Sequence, residues 1–255
     1  MSGKVFLVGA GPGAPDLLTL RAARLLAQAD IVFHDALVPP EIISLASKAT
    51  KIEVGKRCGR QSSAQRFINK RLVDAARRHR TVVRLKGGDP MLFGRAQEEI
   101  AALEKAGIEY EVVPGVTAAF AAAAEIGVSL TQRGAARSVA FVTPRVGEGE
   151  APSGWARAVA AADTAVLYMA AGDAARVRDA LIEAGVAPDM PVALVENASL
   201  EDSRSVTGTL ARLEALAATR GAGPAVILLG RVLAKAALSR REVAELVRAV
   251  AAVKR

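Results

Sequence analysis

The chain has one cysteine, Cys58, and two histidines, His34 and His79, in 255 residues. One thiol excludes an internal disulfide and a cysteine-cluster metal site, and two histidines are too few to suggest a histidine-based zinc site. Aromatic residues make up 4% of the chain, which argues against the stacking platforms that hold single-stranded nucleic acid. No apolar run reaches membrane-spanning length, and the opening MSGKVFLV lacks the basic segment and apolar core of a signal peptide. Cytoplasm is the expected compartment, with no membrane partner.

What remains is aliphatic. A hydrophobic content of 51% argues against disorder, and this length can bury one large core or two of roughly 120 residues each. The formal charge of +8 and pI near 10.0 fit an acidic small molecule as well as nucleic acid. The basic residues are scattered: RRHR (Arg77 to Arg80) and the pair Arg240–Arg241 are short, and read as a solvated face.

The stretch around which the chain is organised is RLKGGDPMLFGRAQEE, Arg84 to Glu99. An apolar strand, Thr81 to Leu85, runs into Gly87, Gly88, Asp89 and Pro90, and a helix is predicted over Phe93 to Ala106. Such a turn at the C-terminal end of a strand is where open α/β sheets bind small molecules. Gly87 and Gly88 allow close backbone approach, and Asp89 is a fixed acceptor. A glycine-rich turn with no ligand is the alternative.

Further apolar runs predict strands at Lys4–Val8, Asp30–Val38, Lys51–Gly55 and Tyr110–Val113 in the first part of the chain. The second part predicts strands at Ser138–Thr143, Thr164–Met169, Pro191–Asn197, Ser205–Leu210 and Ala225–Gly230. Helices are predicted from a Thr19 cap to Gln28, over Ser63–His79, after Thr117, near Trp155–Ala162, Ala174–Ala184 and Leu210–Ala218, and from Ser239. The alternation implies two α/β domains in series, residues 1–115 and 116–255, with a ligand cleft between them. GAGPGAPDLLTL after the first strand matches a nicotinamide-binding fingerprint only loosely, because Pro12 interrupts the turn and the helix starts late. Asp35, where the second strand gives way to loop, either faces a ligand or caps a turn. Lys56, Arg57 and Arg60 form a basic loop.

GAGPGAPDLLTLRA, HDALV, VGKR, RLKGGDPMLFGRAQEE, VPGVTAAFAAAAEIGVSLTQR, the YMA of Tyr168 to Ala170, and ENASLEDSRSVTGTL stand in this order. Together they resemble the uroporphyrinogen-III C-methyltransferases of the tetrapyrrole methylase family, over nearly the whole chain. The resemblance implies S-adenosylmethionine in the cleft between two α/β domains, with S-adenosylhomocysteine as product and no metal. It implies methyl transfer to C2 and C7 of uroporphyrinogen III, giving precorrin-2 for siroheme, cobalamin or heme d1 synthesis, by a homodimer. No oxidoreductase or ferrochelatase domain is visible, so a stand-alone methyltransferase is expected.

On the cofactor side the resemblance implies Pro12, Gly87, Gly88, Asp89, Thr117, Ala118, Met169 and Ala198, with Thr207, Gly208 and Thr209 contributing. On the substrate side it implies Arg95, Glu98 and Arg133, with Lys56 and Arg57 adding to the field for a polycarboxylate. Catalytic work falls to Arg95, Glu98 and Asp35. Arginine is a poor free base, so positioning suits Arg95 better than proton removal. The plain alternatives are a surface ion pair for Arg95 and Glu98, core packing for Met169, and surface charge for Arg57 and Arg60. The chain departs from the family pattern at Gln132 (histidine), Ala96 and Ala170 (glycines), and Pro144–Arg145 (Gly-His). Rival readings are a later precorrin methyltransferase, a ribosomal RNA methyltransferase of the same fold, and a non-enzymatic nucleotide sensor. The last leaves Arg95, Glu98 and Arg133 without a role.

Overall fold

A computed structural model of the chain describes residues 3–54, 61–147, 149, 151 and 153–234, and for 61–64 the backbone only. Lys56, Arg57, Cys58, Arg60 and the helix expected from Ser239 lie outside the described residues. Two compact units are formed, the first running to Ala118 and taking in Gly147–Gly149, the second made of Ala119–Val146 and the chain from Glu150.

The first unit alternates strand and helix: β1 (Lys4–Gly9), α1 (Leu20–Gln28), β2 (Ile31–His34), α2 (Pro40–Ser44), β3 (Thr50–Glu53), α3 (Gln61–Ala76), β4 (Thr81–Lys86), α4 (Ala96–Lys105) and β5 (Tyr110–Val113). The sheet order is β3-β2-β4-β1-β5, with every pairing parallel. Both faces of the central strands β1, β2 and β4 are covered, which is why they read as near-continuous apolar runs, whereas the edge strand β3 (TKIE) is mostly exposed. Val5 and Leu7 of β1, Phe33 of β2 and Val82 of β4 pack with Leu72 of α3 and Ile100 and Leu103 of α4. On the other face Val8, Val32, Val83 and Leu85 pack with Ala22 and Leu26 of α1 and Ile42 of α2. As expected, Thr19 caps α1, its hydroxyl accepting from the amide of Ala22 at 3.1 Å.

The second unit holds α5 (Ala118–Glu125) from its second residue on, β6 (Val139–Val142), α6 (Trp155–Ala161), β7 (Thr164–Tyr168), α7 (Ala174–Glu183), β8 (Pro191–Glu196), β9 (Arg204–Thr209), α8 (Leu213–Ala218) and β10 (Ala225–Gly230). Its sheet runs β6-β7-β10-β8-β9 and is mixed: β10 is antiparallel to β7 and β8, and β9 to β8. Leu167, Leu194 and Ile227 pack on Val159, Val177, Leu181 and Leu213 of α6, α7 and α8. The expected run of two α/β sheets in series is observed.

The units share a way of starting a strand. Asp30, just before β2, accepts from the amides of Arg80 and Thr81 at the head of β4, at 2.9 and 2.8 Å. Asp163, just before β7, accepts from the amides of Arg137 and Ser138 ahead of β6, at 2.8 and 2.9 Å. Among the described residues, no helix is long and apolar enough to cross a membrane.

Candidate active site

At the C-terminal ends of β4, β1 and β5, three adjacent strands, the backbone meets glycine to glycine. A Cβ on Gly9 would stand 2.6 Å from Gly115 Cα, and one on Gly115 would stand 2.3 Å from the Gly88 carbonyl oxygen. Gly11 and Gly88 exchange backbone hydrogen bonds, at 3.2 Å from Gly11 N and 2.7 Å from Gly88 N. Gly88 has φ near 66°, a left-handed conformation that favours glycine. The contact needs Gly9 and Gly115 to lack side chains and Gly88 to turn left-handed, and the Gly11–Gly88 pairing places Pro12 beside the GGD loop. Gly87 differs. It is exposed, with nothing within 4 Å of where its Cβ would stand, so its backbone is open to approach.

Asp89 fixes the loop. Its Oδ1 accepts from the amide of Met91 at 2.8 Å and its Oδ2 from the amide of Gly115 at 2.9 Å. One oxygen therefore serves the loop's own backbone and the other the loop after β5. Thr117 is buried just ahead of α5, and Ala118 is half-buried.

The helix expected from Phe93 begins instead at Ala96. Phe93 and Arg95 sit at φ near 54° and 55°, and two non-glycine residues in that region cannot continue a right-handed helix. Arg95 is thus the residue before α4, not part of its first turn. It still reaches Glu98: Nε donates to Oε1 at 2.6 Å and Nη2 to Oε2 at 2.8 Å, an exposed bidentate fork. Asp35 lies just past β2, half-buried, with Oδ1 accepting from Arg84 Nη2.

In the second unit, Met169 follows β7 with φ near 55° and is 48% exposed, so it is not core. Ala198 follows β8 and is buried. Both strands run antiparallel to β10, so these residues leave the sheet at the same edge. Thr207 and Gly208 do not join them. They pair with Ala193 and Val192 near the start of β8, about 15 Å along the strand from that edge at roughly 3.4 Å per residue. Gly208 instead lies against Leu216, beyond α8's first turn. Arg133 is exposed, in the turn closed by the Gln132–Ala136 bridge.

The chain matches the family Tetrapyrrole (Corrin/Porphyrin) Methylases over residues 4–214. It belongs to the tetrapyrrole methylases. Siroheme synthase of Chromobacterium violaceum is 47% identical over 234 residues, 91% of this chain and 50% of the relative. The chain spans about half the length of the curated relatives it matches. A solved uroporphyrin-III C-methyl transferase from Thermus thermophilus, complexed with S-adenosylhomocysteine, is 40% identical with a TM-score of 0.77, covering 91% of this chain and 99% of that one. A cobalt precorrin-4 methyltransferase, a cobalamin biosynthetic enzyme, is 31% identical with a TM-score of 0.79, covering 90% of this chain and 95% of that one.

The methylase also carries charged residues that sequence reasoning passed over. Arg84, Lys86 and Glu99 are buried together beneath the glycine loop. Burial pulls the Arg84 guanidinium down, yet the charges of Asp35 and Glu99 outweigh it and hold it above its ordinary value. Burial first, and then the charge of Arg84, push Lys86 below its ordinary value, with Glu99 and Asp35 only partly offsetting them. Two signals for the cluster stood in the sequence: an arginine inside the apolar run TVVRL, and a glutamate on the stripe Ala96, Ile100, Leu103 of an amphipathic helix. A groove of about 570 Å³ in the second unit, lined by Phe120, Val128, Leu130, Val139 and Phe141 among others, contains none of the candidate residues.

Proposed function

We propose that this methylase transfers methyl groups from S-adenosylmethionine to C2 and C7 of uroporphyrinogen III, giving precorrin-2. The run from Gly87 to Glu98 carries the reading. It sets an open stretch of backbone and an exposed guanidinium fork at the end of one strand. The 40% identity to the Thermus thermophilus protein, across 99% of that chain, supports the same substrate.

The residues fit the cofactor. Gly87 leaves its backbone approachable, Gly88 turns the loop in a conformation suited to glycine, and Asp89 holds both in place. These, with Pro12, Thr117 and Ala118 in the first unit and Met169 and Ala198 in the second, are the proposed contacts. When bound, S-adenosylmethionine supplies a methyl group already activated by its sulfonium. The remaining work belongs to the protein's side chains: to hold the nucleophilic carbon in line and to offset charge developing in the macrocycle.

Arg95 and Arg133 are assigned to the substrate's carboxylates, for which a planar guanidinium fork is suited. Glu98 orients Arg95. Asp35, a partly exposed carboxylate at the end of β2, is assigned to the pyrrole N–H groups and to the proton that must leave the methylated ring. A homodimer working in the cytoplasm completes the reading, supported by family membership; sedimentation equilibrium gives the mass.

The deciding experiment is an anaerobic assay with uroporphyrinogen III and S-adenosylmethionine, counting methyl groups per macrocycle by mass spectrometry. Two per macrocycle are expected. Cofactor binding without turnover overturns the substrate assignment. A later precorrin would then be tried, because the 31% identity to a cobalt precorrin-4 methyltransferase makes that the second reading.

A further inference from the structure

Four charged side chains from three elements meet under the glycine loop: Asp35 after β2, Arg84 and Lys86 on β4, and Glu99 on α4. Arg84 and Lys86 are two residues apart and so point to the same face of the sheet, the face covered by α3 and α4. Their side chains are 3% and 4% exposed and that of Glu99 is fully buried, whereas that of Asp35 is 32% exposed. Two cations and two anions balance, which is what allows so much charge to be buried.

The hydrogen bonds give the cluster a direction. Arg84 Nε donates to Glu99 Oε1 at 2.9 Å, and Nη1 donates to the carbonyls of Phe33 and Leu85 at 3.4 and 3.1 Å. Glu99 is itself held by Lys86, whose Nζ is 3.1 and 3.0 Å from its two oxygens, and by Gln65 Nε2 at 3.4 Å. A guanidinium is a rigid planar fork. With Nε and Nη1 engaged by buried acceptors, only the Nη2 edge remains, and it donates to Asp35 Oδ1. His34 Nδ1 lies 3.2 Å from the Asp35 carbonyl oxygen, on the backbone side. Asp35 Oδ2 has no hydrogen-bond partner among the described residues.

We infer that Arg84, locked by Glu99 and Lys86, is a positioning residue that fixes the orientation of the Asp35 carboxylate and leaves its second oxygen free for the substrate. The inference rests on the catalytic assignment of Asp35 made above. Glu99 and Lys86 act one step further back, by keeping the guanidinium from turning. A lysine at 84 keeps the charge but cannot span Glu99, two carbonyls and Asp35 at once.

The test is a double-variant cycle in the full chain with R84K, D35N and the pair, reading kcat and KM for both substrates, S-adenosylmethionine affinity by calorimetry, and the thermal midpoint. A misplaced reacting group can cost up to about a hundredfold. R84K is accordingly expected to lower kcat by about tenfold to a hundredfold while the cofactor's dissociation constant stays within about twofold. In the D35N background, R84K is expected to cause no further loss.

A folded R84K with the parent kcat overturns the inference, as do R84K and D35N losses that multiply independently; in either case D35N remains slow and the Asp35 assignment survives. D35N at the parent rate overturns that assignment and the inference with it. Should R84K fail to fold, E99Q gives the same comparison. It leaves an oxygen for Arg84 Nε but weakens the anchor, and a folded E99Q must lose kcat in the Asp35 background and not in the D35N background. An unchanged kcat in E99Q counts against positioning.

Discussion

Asp89 and Gly115 are joined across two loops of the first unit, the Gly115 amide donating to Asp89 Oδ2 at 2.9 Å while Oδ1 holds the amide of Met91 at 2.8 Å. One carboxylate thus shapes the loop after β4 and ties it to the loop after β5. Asp89→Ala strands both amides, which costs about 1–3 kcal/mol where they are shielded from water. Urea unfolding is expected to show a loss in that range, and calorimetry at least tenfold weaker S-adenosylmethionine binding. Asp89→Asn offers a single acceptor oxygen and should fall between the two.

Gly87 and Gly115 separate packing from binding. At Gly115 a Cβ would meet the Gly88 carbonyl oxygen at 2.3 Å, and backbone cannot move aside cheaply. Gly115→Ala is expected to lower stability by about 1–3 kcal/mol, the usual cost of overpacking. At Gly87 nothing lies within 4 Å. Gly87→Ala should leave the thermal midpoint unchanged yet weaken cofactor binding about tenfold or more. Equal affinity in Gly87→Ala and the parent would remove Gly87 from the proposed cofactor contacts.

Arg95 and Glu98 form an ion pair whose side chains are 40% and 49% exposed. Exposed pairs contribute only about 0–1 kcal/mol to stability. If the pair's role is to hold substrate, Arg95→Ala should barely move the unfolding midpoint while reducing kcat/KM for uroporphyrinogen III by about a hundredfold. Glu98→Gln, which keeps one acceptor, should lose less. A surface pair with no part in binding would leave both rates intact.

How much of this was legible in the sequence depends on the range of the physics involved. Thr19 and α1 could be read because a cap and its helix are neighbours. The central strands β1, β2 and β4 of the first unit could be read because strands buried on both faces leave near-continuous apolar runs such as VFLV. The start of α4 could not, since Phe93 and Arg95 adopt left-handed conformations that no local propensity favours. The antiparallel placement of β10 was equally hidden, because an apolar run does not encode the direction of its partner. Arg84 and Glu99 were visible as charges in apolar patterns, but only the pairing of β4 with α4 makes them partners. Thr207 and Gly208 show what a motif resemblance leaves out: it grouped them with Met169 and Ala198, and only strand register shows that they lie near the start of β8, away from the end where those two leave the sheet.

Asp163 gives the second unit a specific sensitivity to acid. The amide of Arg137, first, and then the hydroxyl and amide of Ser138 donate to its carboxylate and hold it below its ordinary value of 3.8. The folded state therefore binds fewer protons at this group than the unfolded state, and stability rises with pH through the window between the two values. The contribution is fully present above the unfolded value and is lost as pH falls through the lower, folded one. Asp163→Asn removes the titration while keeping the side chain's size. The difference in urea midpoint between parent and D163N should be constant from neutral pH to about pH 5, shrink below 3.8, and level off once the folded carboxylate is protonated. A difference that does not change with pH would mean that the strand-start hydrogen bonds, and not the charge that accepts them, carry Asp163's share of the stability.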